Sequence, residues 1–131
     1  MFKVILFIAS IFVIATVSVF ADTQSERFAK EMAKYKQTNV FENCVQHNRI
    51  KRTNVLDDNH ILFEMRNNKY FLNTLDHKCS RLGFERSIAY TVRTSKLCSY
   101  DIVSVFDPIG MGPGCFLGKF EVLEKLPRGR D

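Results

Sequence analysis

The sequence predicts a mainly β domain: a small antiparallel barrel or two-layer sheet of about six strands, with one N-terminal helix and two disulfides. Three observations carry this. Asn54 to Leu75 alternates short apolar runs with Asn- and Asp-rich turns, the pattern of a meander. Ile102 to Phe106 is almost wholly apolar and rich in β-branched residues, which suits the centre of a sheet. Cys44, Cys79, Cys98 and Cys115 are an even number of cysteines in a chain of 131 residues, enough for two bridges.

The first residues stand apart from this domain. Lys3 precedes an apolar run from Val4 to Val19, and Val19-Phe20-Ala21 places small residues where a leader is cut. This is the layout of a secretory signal peptide cleaved between Ala21 and Asp22. The run of about 16 residues is short of the ~20 that a spanning helix needs. The expected organisation is residues 1–21 as signal peptide, 22–40 as a helical N-terminal region, 41–126 as a disulfide-stapled β domain and 127–131 as a tail. A periplasmic or secreted destination follows. The formal charge is +5, but the basic residues are interleaved with acidic ones. A mixed solvated surface is therefore expected rather than a nucleic-acid site. The mature chain is expected to be a monomer without stable membrane insertion.

In chain order, Thr23 to Gln37 reads as a helix. Thr23 and Glu26 fit a capping box, and Phe28, Met32 and Tyr35 form one apolar stripe that must dock on something to be stable. Cys44 to Thr53 reads as an edge strand guarded by Lys51 and Arg52. Asp57 to His60 is a turn of three or four residues. A two-residue turn at Asn67-Asn68 then sets Met65 opposite Tyr70, Phe63 opposite Leu72 and Ile61 opposite Thr74. That register gathers Ile61, Phe63, Met65, Tyr70 and Leu72 on one face, leaving Leu62, Glu64, Phe71 and Asn73 on the other. Asp76 to Gly83 is a connection with a helical turn ended by Gly83. Ile88 to Val92 alternates as a half-buried strand, and Thr94-Ser95-Lys96 turns the chain back. Asp107-Pro108 ends the central strand, Gly110 to Gly114 is a loop, and Cys115 to Leu123 is the last strand.

Four cysteines allow three pairings. The expected one is Cys79–Cys98, closing a local loop, with Cys44–Cys115 tying the ends of the domain together.

The candidate chemistry is sparse. Asp57 and Asp58 with His60 could ligate a divalent metal or perform acid/base work. Aspartate also makes turns by accepting hydrogen bonds from nearby backbone, and that reading is preferred. His47 and His77 lie in polar sequence and read as surface residues. Gly110, Gly112 and Gly114 lack phosphate-loop spacing. Paired cysteines leave no thiolate nucleophile, and no cofactor is expected. Phe41, Phe71 and Phe84 could form a stacking surface, but core filling is the ordinary use of phenylalanine.

Cys44, Val55-Leu56-Asp57-Asp58, Tyr70-Phe71-Leu72-Asn73, Cys79 with Leu82, Leu97-Cys98 and Gly114-Cys115 with Leu117-Gly118 together resemble a family of small exported proteobacterial proteins of unknown function. The resemblance spans about Cys44 to Leu126. It implies an envelope or secreted location and four structural cysteines, and carries no activity. The function expected is a non-catalytic binding or interaction module of the cell envelope, its partner a protein or polysaccharide. The alternatives are a metal-assisted or acid/base enzyme centred on Asp57, Asp58 and His60, or an inhibitor of an envelope hydrolase presenting Gly110 to Gly114.

Overall fold

The computed structural model describes residues 23–128, so the expected signal peptide and the last residues of the tail lie outside the described residues. Helix α1 (Thr23–Met32) leads into β1 (Tyr35–Glu42), β2 (Cys44–Gln46), a single 3-10 turn (His47–Arg49), β3 (Ile50–Val55), β4 (His60–Met65) and β5 (Tyr70–Thr74). A short α2 (Leu82–Glu85) precedes β6 (Ile88–Tyr90), β7 (Lys96–Cys98), β8 (Ile102–Asp107), β9 (Gly110–Phe116) and β10 (Phe120–Lys125). The strands form three sheets ordered β1-β10-β5-β4-β3, β2-β7 and β6-β8-β9, and every pairing is antiparallel. The five-stranded sheet keeps open edges at β1 and β3. The architecture is therefore layered sheets and not a closed barrel, with ten strands where about six are expected.

Strand alternation explains the layers. Ile61, Phe63, Met65, Phe71 and Phe120 point to one side of the large sheet, where they meet Val45, Leu97, Val103 and Val105 of the two smaller sheets. Phe120 lies edge-on to Phe63 at 5.3 Å and to Phe71 at 6.3 Å between ring centroids. On the opposite side Leu62, Tyr70, Leu72 and Leu123 pack under Phe28 and Met32 of α1, with Tyr35 beside them. The apolar stripe of the helix thus covers a sheet face that would otherwise be wet.

The helix stops at Met32 rather than Gln37. Thr38, Val40 and Phe41 favour extended backbone, and Asn39 takes a positive φ of 56°. This makes a bulge in β1. Buried Glu121 fills it, accepting from Gln37 Nε2 at 2.9 Å and from the Asn39 N–H at 3.2 Å. Thr38 Oγ1 donates to the Val122 carbonyl at 2.6 Å.

The β4–β5 register differs from expectation by one residue: Phe63 faces Phe71, Leu62 faces Leu72 and Ile61 faces Asn73. The loop is Arg66-Asn67-Asn68, closed by the Met65 N–H to the Lys69 carbonyl at 2.8 Å, with Asn68 at φ 58°. Because α1 buries the second face, both registers hide apolar side chains, and alternation does not choose between them. The β3–β4 turn takes the three-residue option, with the Leu56 N–H donating to the His60 carbonyl at 2.9 Å.

Two glycine expectations change. Gly83 lies inside α2 rather than ending a helical turn. Gly110 to Gly114 is strand and not loop, because Asp107 Oδ1 accepts the Ile109 and Gly110 N–H groups at 2.8 and 2.9 Å and turns the chain earlier. The expected last strand from Cys115 to Leu123 is accordingly two pieces, the end of β9 and the start of β10.

The disulfides are Cys44–Cys98 and Cys79–Cys115, which corrects the expected Cys79–Cys98 and Cys44–Cys115. Sequence proximity misled because β2 pairs with β7. Cys44 and Cys98 are direct partners in that ladder, with Cα atoms 3.9 Å apart. Cys79, in the connection after β5, meets Cys115 on β9 with Cα atoms 5.9 Å apart. Each bridge joins segments that local loop closure would have kept apart.

Candidate functional site

The Asp57–His60 corner is built as a turn. Asp57 Oδ1 accepts the Asn59 N–H at 2.7 Å and the His60 N–H at 2.8 Å, which is how a short carboxylate reverses the chain. His60 Nδ1 lies 2.8 and 2.9 Å from the two Asp57 oxygens, and its ring stacks on Phe28 at 4.3 Å. Asp58 does different work. Its Oδ1 accepts the Gly83 N–H at 2.8 Å, its carbonyl accepts the Cys79 N–H at 2.9 Å, and its own N–H donates to Gln24 Oε1 at 3.2 Å.

Arg27 closes the arrangement from α1. Nε donates to the Leu56 carbonyl at 2.7 Å and Nη2 to the Gly83 carbonyl at 2.8 Å. Burial lowers the Arg27 pKa, as does the charge of Arg86, while Asp57 and Asp58 favour the charged form. The carboxylates therefore already face a resident cation and backbone N–H groups. The corner bolts α1 and α2 to the β3–β4 turn.

The remaining candidates scatter. His47 stands edge-on to Tyr90 at 5.6 Å and His77 is exposed, so neither histidine is drawn into a cluster. Among the described residues no group of three or more His, Cys, Asp or Glu is placed to hold a metal ion, and all four cysteines are bridged. Phe71 is core, whereas Phe41 and Phe84 are exposed. Gly114 serves packing, since a Cβ there would come within 2.6 Å of Ile102 Cγ2.

A feature the sequence reading did not single out is the outer face of the three-stranded sheet. On β8, Val103 and Val105 point inward and are buried, so Ile102 and Phe106 point outward. The register sets Phe116 beside Ile102 and Met111 beside Phe106. All four are more than half exposed, as is Tyr100, and Ile109 in the β8–β9 turn is 93% exposed. The alternation of Ile102, Ser104 and Phe106 is visible in the sequence, but an apolar run reads as buried on both sides. Next to this face lies a cavity of about 500 Å³ walled by Tyr90, Arg93, Tyr100, Asp101, Ile102 and Met111. Burial raises the Tyr90 hydroxyl's pKa, and Asp101 Oδ2 accepts the Cys98 N–H at 2.7 Å.

The model of one protein family, described as Family of unknown function (DUF6491), matches residues 1–122, a span that takes in all four cysteines and the outer face. Comparison with curated proteins gave no match, and comparison with solved structures gave none.

Proposed function

We propose a role for this chain, which belongs to the family of unknown function DUF6491, as an exported, non-catalytic interaction module of the cell envelope that docks a partner protein on the outer face of its three-stranded sheet. The carrying observation is the exposure, on one face and its turn, of Tyr100, Ile102, Phe106, Ile109, Met111 and Phe116. Contiguous apolar surface rimmed by polar residues marks protein contact sites. Aromatic residues and methionine are the types enriched in such contacts. Two disulfides and the leader-like residues 1–21 support export to an oxidising compartment. Binding is preferred over catalysis because Asp57, Asp58 and His60 are engaged with backbone, with Arg27 and with one another. Inhibition of an envelope hydrolase is the second reading, favoured by Ile109 at the tip of the Asp107–Gly110 turn.

The test compares the wild-type chain with a Phe106→Glu, Met111→Lys double variant, both immobilised against an envelope extract. The expected result is a protein that the wild type retains and the variant loses, and that binds the wild type at fixed stoichiometry once purified. Identical retention by both chains, or no specific retention by the wild type, overturns the reading.

A further inference from the structure

A second cavity, of about 590 Å³, opens between β2, the His47–Arg49 turn and the β4–β5 loop. Its walls carry three cations from distant parts of the chain: Arg49, Lys69 and Lys96. All three are exposed. Among the described residues the ion pairs are made by Lys34, Lys51, Arg52, His60, Lys78 and Arg81, and none by these three. Glu42 is the one acidic residue on the walls, and it too makes none of those pairs. A hollow lined by like charges focuses its field on whatever enters, and here the sign attracts anions.

The rest of the lining narrows the ligand. Asn48 and Asn67 stand on the walls, and their carboxamides can both donate to and accept from hydroxyls. Met65 and Phe71, buried apart from their edges, give the cavity an apolar floor. The volume falls within the range of small-molecule sites. Cations for an acid group, carboxamides for hydroxyls and an apolar floor for a ring face describe one class of molecule. We infer that this cavity binds an acidic saccharide, a hydroxylated ring carrying a carboxylate. The site is independent of the docking face, sharing with the cavity beside that face only Lys96.

Calorimetric titration of the full, oxidised chain with digalacturonate tests the assignment, with the neutral digalactose and inorganic phosphate as comparison probes. Saturable one-to-one binding of digalacturonate is expected, weakening as salt rises. The Arg49→Gln, Lys69→Gln double variant, altered only at exposed positions, should bind about tenfold more weakly. Glu42→Gln should bind about twofold more tightly, since it removes the one repelling charge. That gain is an outcome no purely structural role for Glu42 would produce. Absence of saturable binding overturns the inference, as does equal affinity for the neutral sugar. Phosphate binding as tightly as digalacturonate overturns the saccharide assignment.

Discussion

The Asn73 carboxamide and the Gly118 peptide hold one another at both ends: Nδ2 donates to the Gly118 carbonyl at 2.7 Å, and the Gly118 N–H donates to Oδ1 at 2.9 Å. Asn73 is fully buried, and a Cβ at Gly118 would overlap the Thr74 carbonyl oxygen. Asn73→Leu leaves two buried backbone groups unpaired and should cost about 2–4 kcal/mol. Asn73→Asp keeps one acceptor but buries a charge and turns an oxygen onto the Gly118 carbonyl, so it should cost at least as much at neutral pH, and Gly118→Ala should be at least as damaging as Asn73→Leu. Denaturant midpoints at constant m-value measure all three.

Peptide mapping without reduction should recover Cys44 joined to Cys98 and Cys79 joined to Cys115. Replacing Cys79 and Cys115 together by alanine should cost about 3 kcal/mol, because the unfolded chain regains the freedom that the bridge removes. Recovery of Cys79 joined to Cys98 would contradict the strand pairing of β2 with β7.

The Asp57 and Asp58 carboxylates are expected to matter for stability alone. Asp57→Ala strips the turn of its acceptor, and Asp58→Ala frees the Gly83 N–H. Each should cost about 1–3 kcal/mol in a urea melt. Zinc or calcium titrated into the protein should show no stoichiometric binding that Asp58→Ala abolishes.

Alkaline unfolding offers a pH test. Desolvation, with Glu31 next in importance, pushes the Tyr35 hydroxyl's pKa up to about 12, against about 10 in an unfolded chain. Below the lower value both states keep the proton. Between the two, the unfolded chain releases a proton that the folded chain holds, so stability falls as pH rises. Tyr35→Phe should flatten that fall, and Tyr90, also raised by burial, should leave a residue of it. Unfolding midpoints across the alkaline range decide the matter.

The β8 strand, the hairpin of β4 and β5, the docked stripe of Phe28 and Met32, and the turn role of Asp57 were all legible from local pattern and turn chemistry. What escaped was set by partners distant in sequence. Tyr35 to Glu42 becomes a strand because β10 is there to pair with it, and no local signal announces that partnership. The cysteine pairing depends on Cys44 lying opposite Cys98 across fifty-four residues of separation. The hairpin register turns on whether a helix covers Tyr70 and Leu72. The exposed apolar face of the three-stranded sheet and the basic cavity were hidden for the same reason. Met111 reaches Phe106, and Arg49 nears Lys69 and Lys96, only through three-dimensional assembly.

The pairing of β1 with β10 sets a timetable for the chain. The strand nearest the helix bonds to the last of the described strands, and β10 also separates β1 from β5. Until Phe120 to Lys125 emerge, β5 has a bare flank, β1 has no neighbour and Glu121 is not there to fill the bulge at Asn39. The large sheet cannot be completed before β10 has been made. The chain therefore carries an incomplete sheet, with the β1 bulge unfilled, until β10 is available to pair on both its sides.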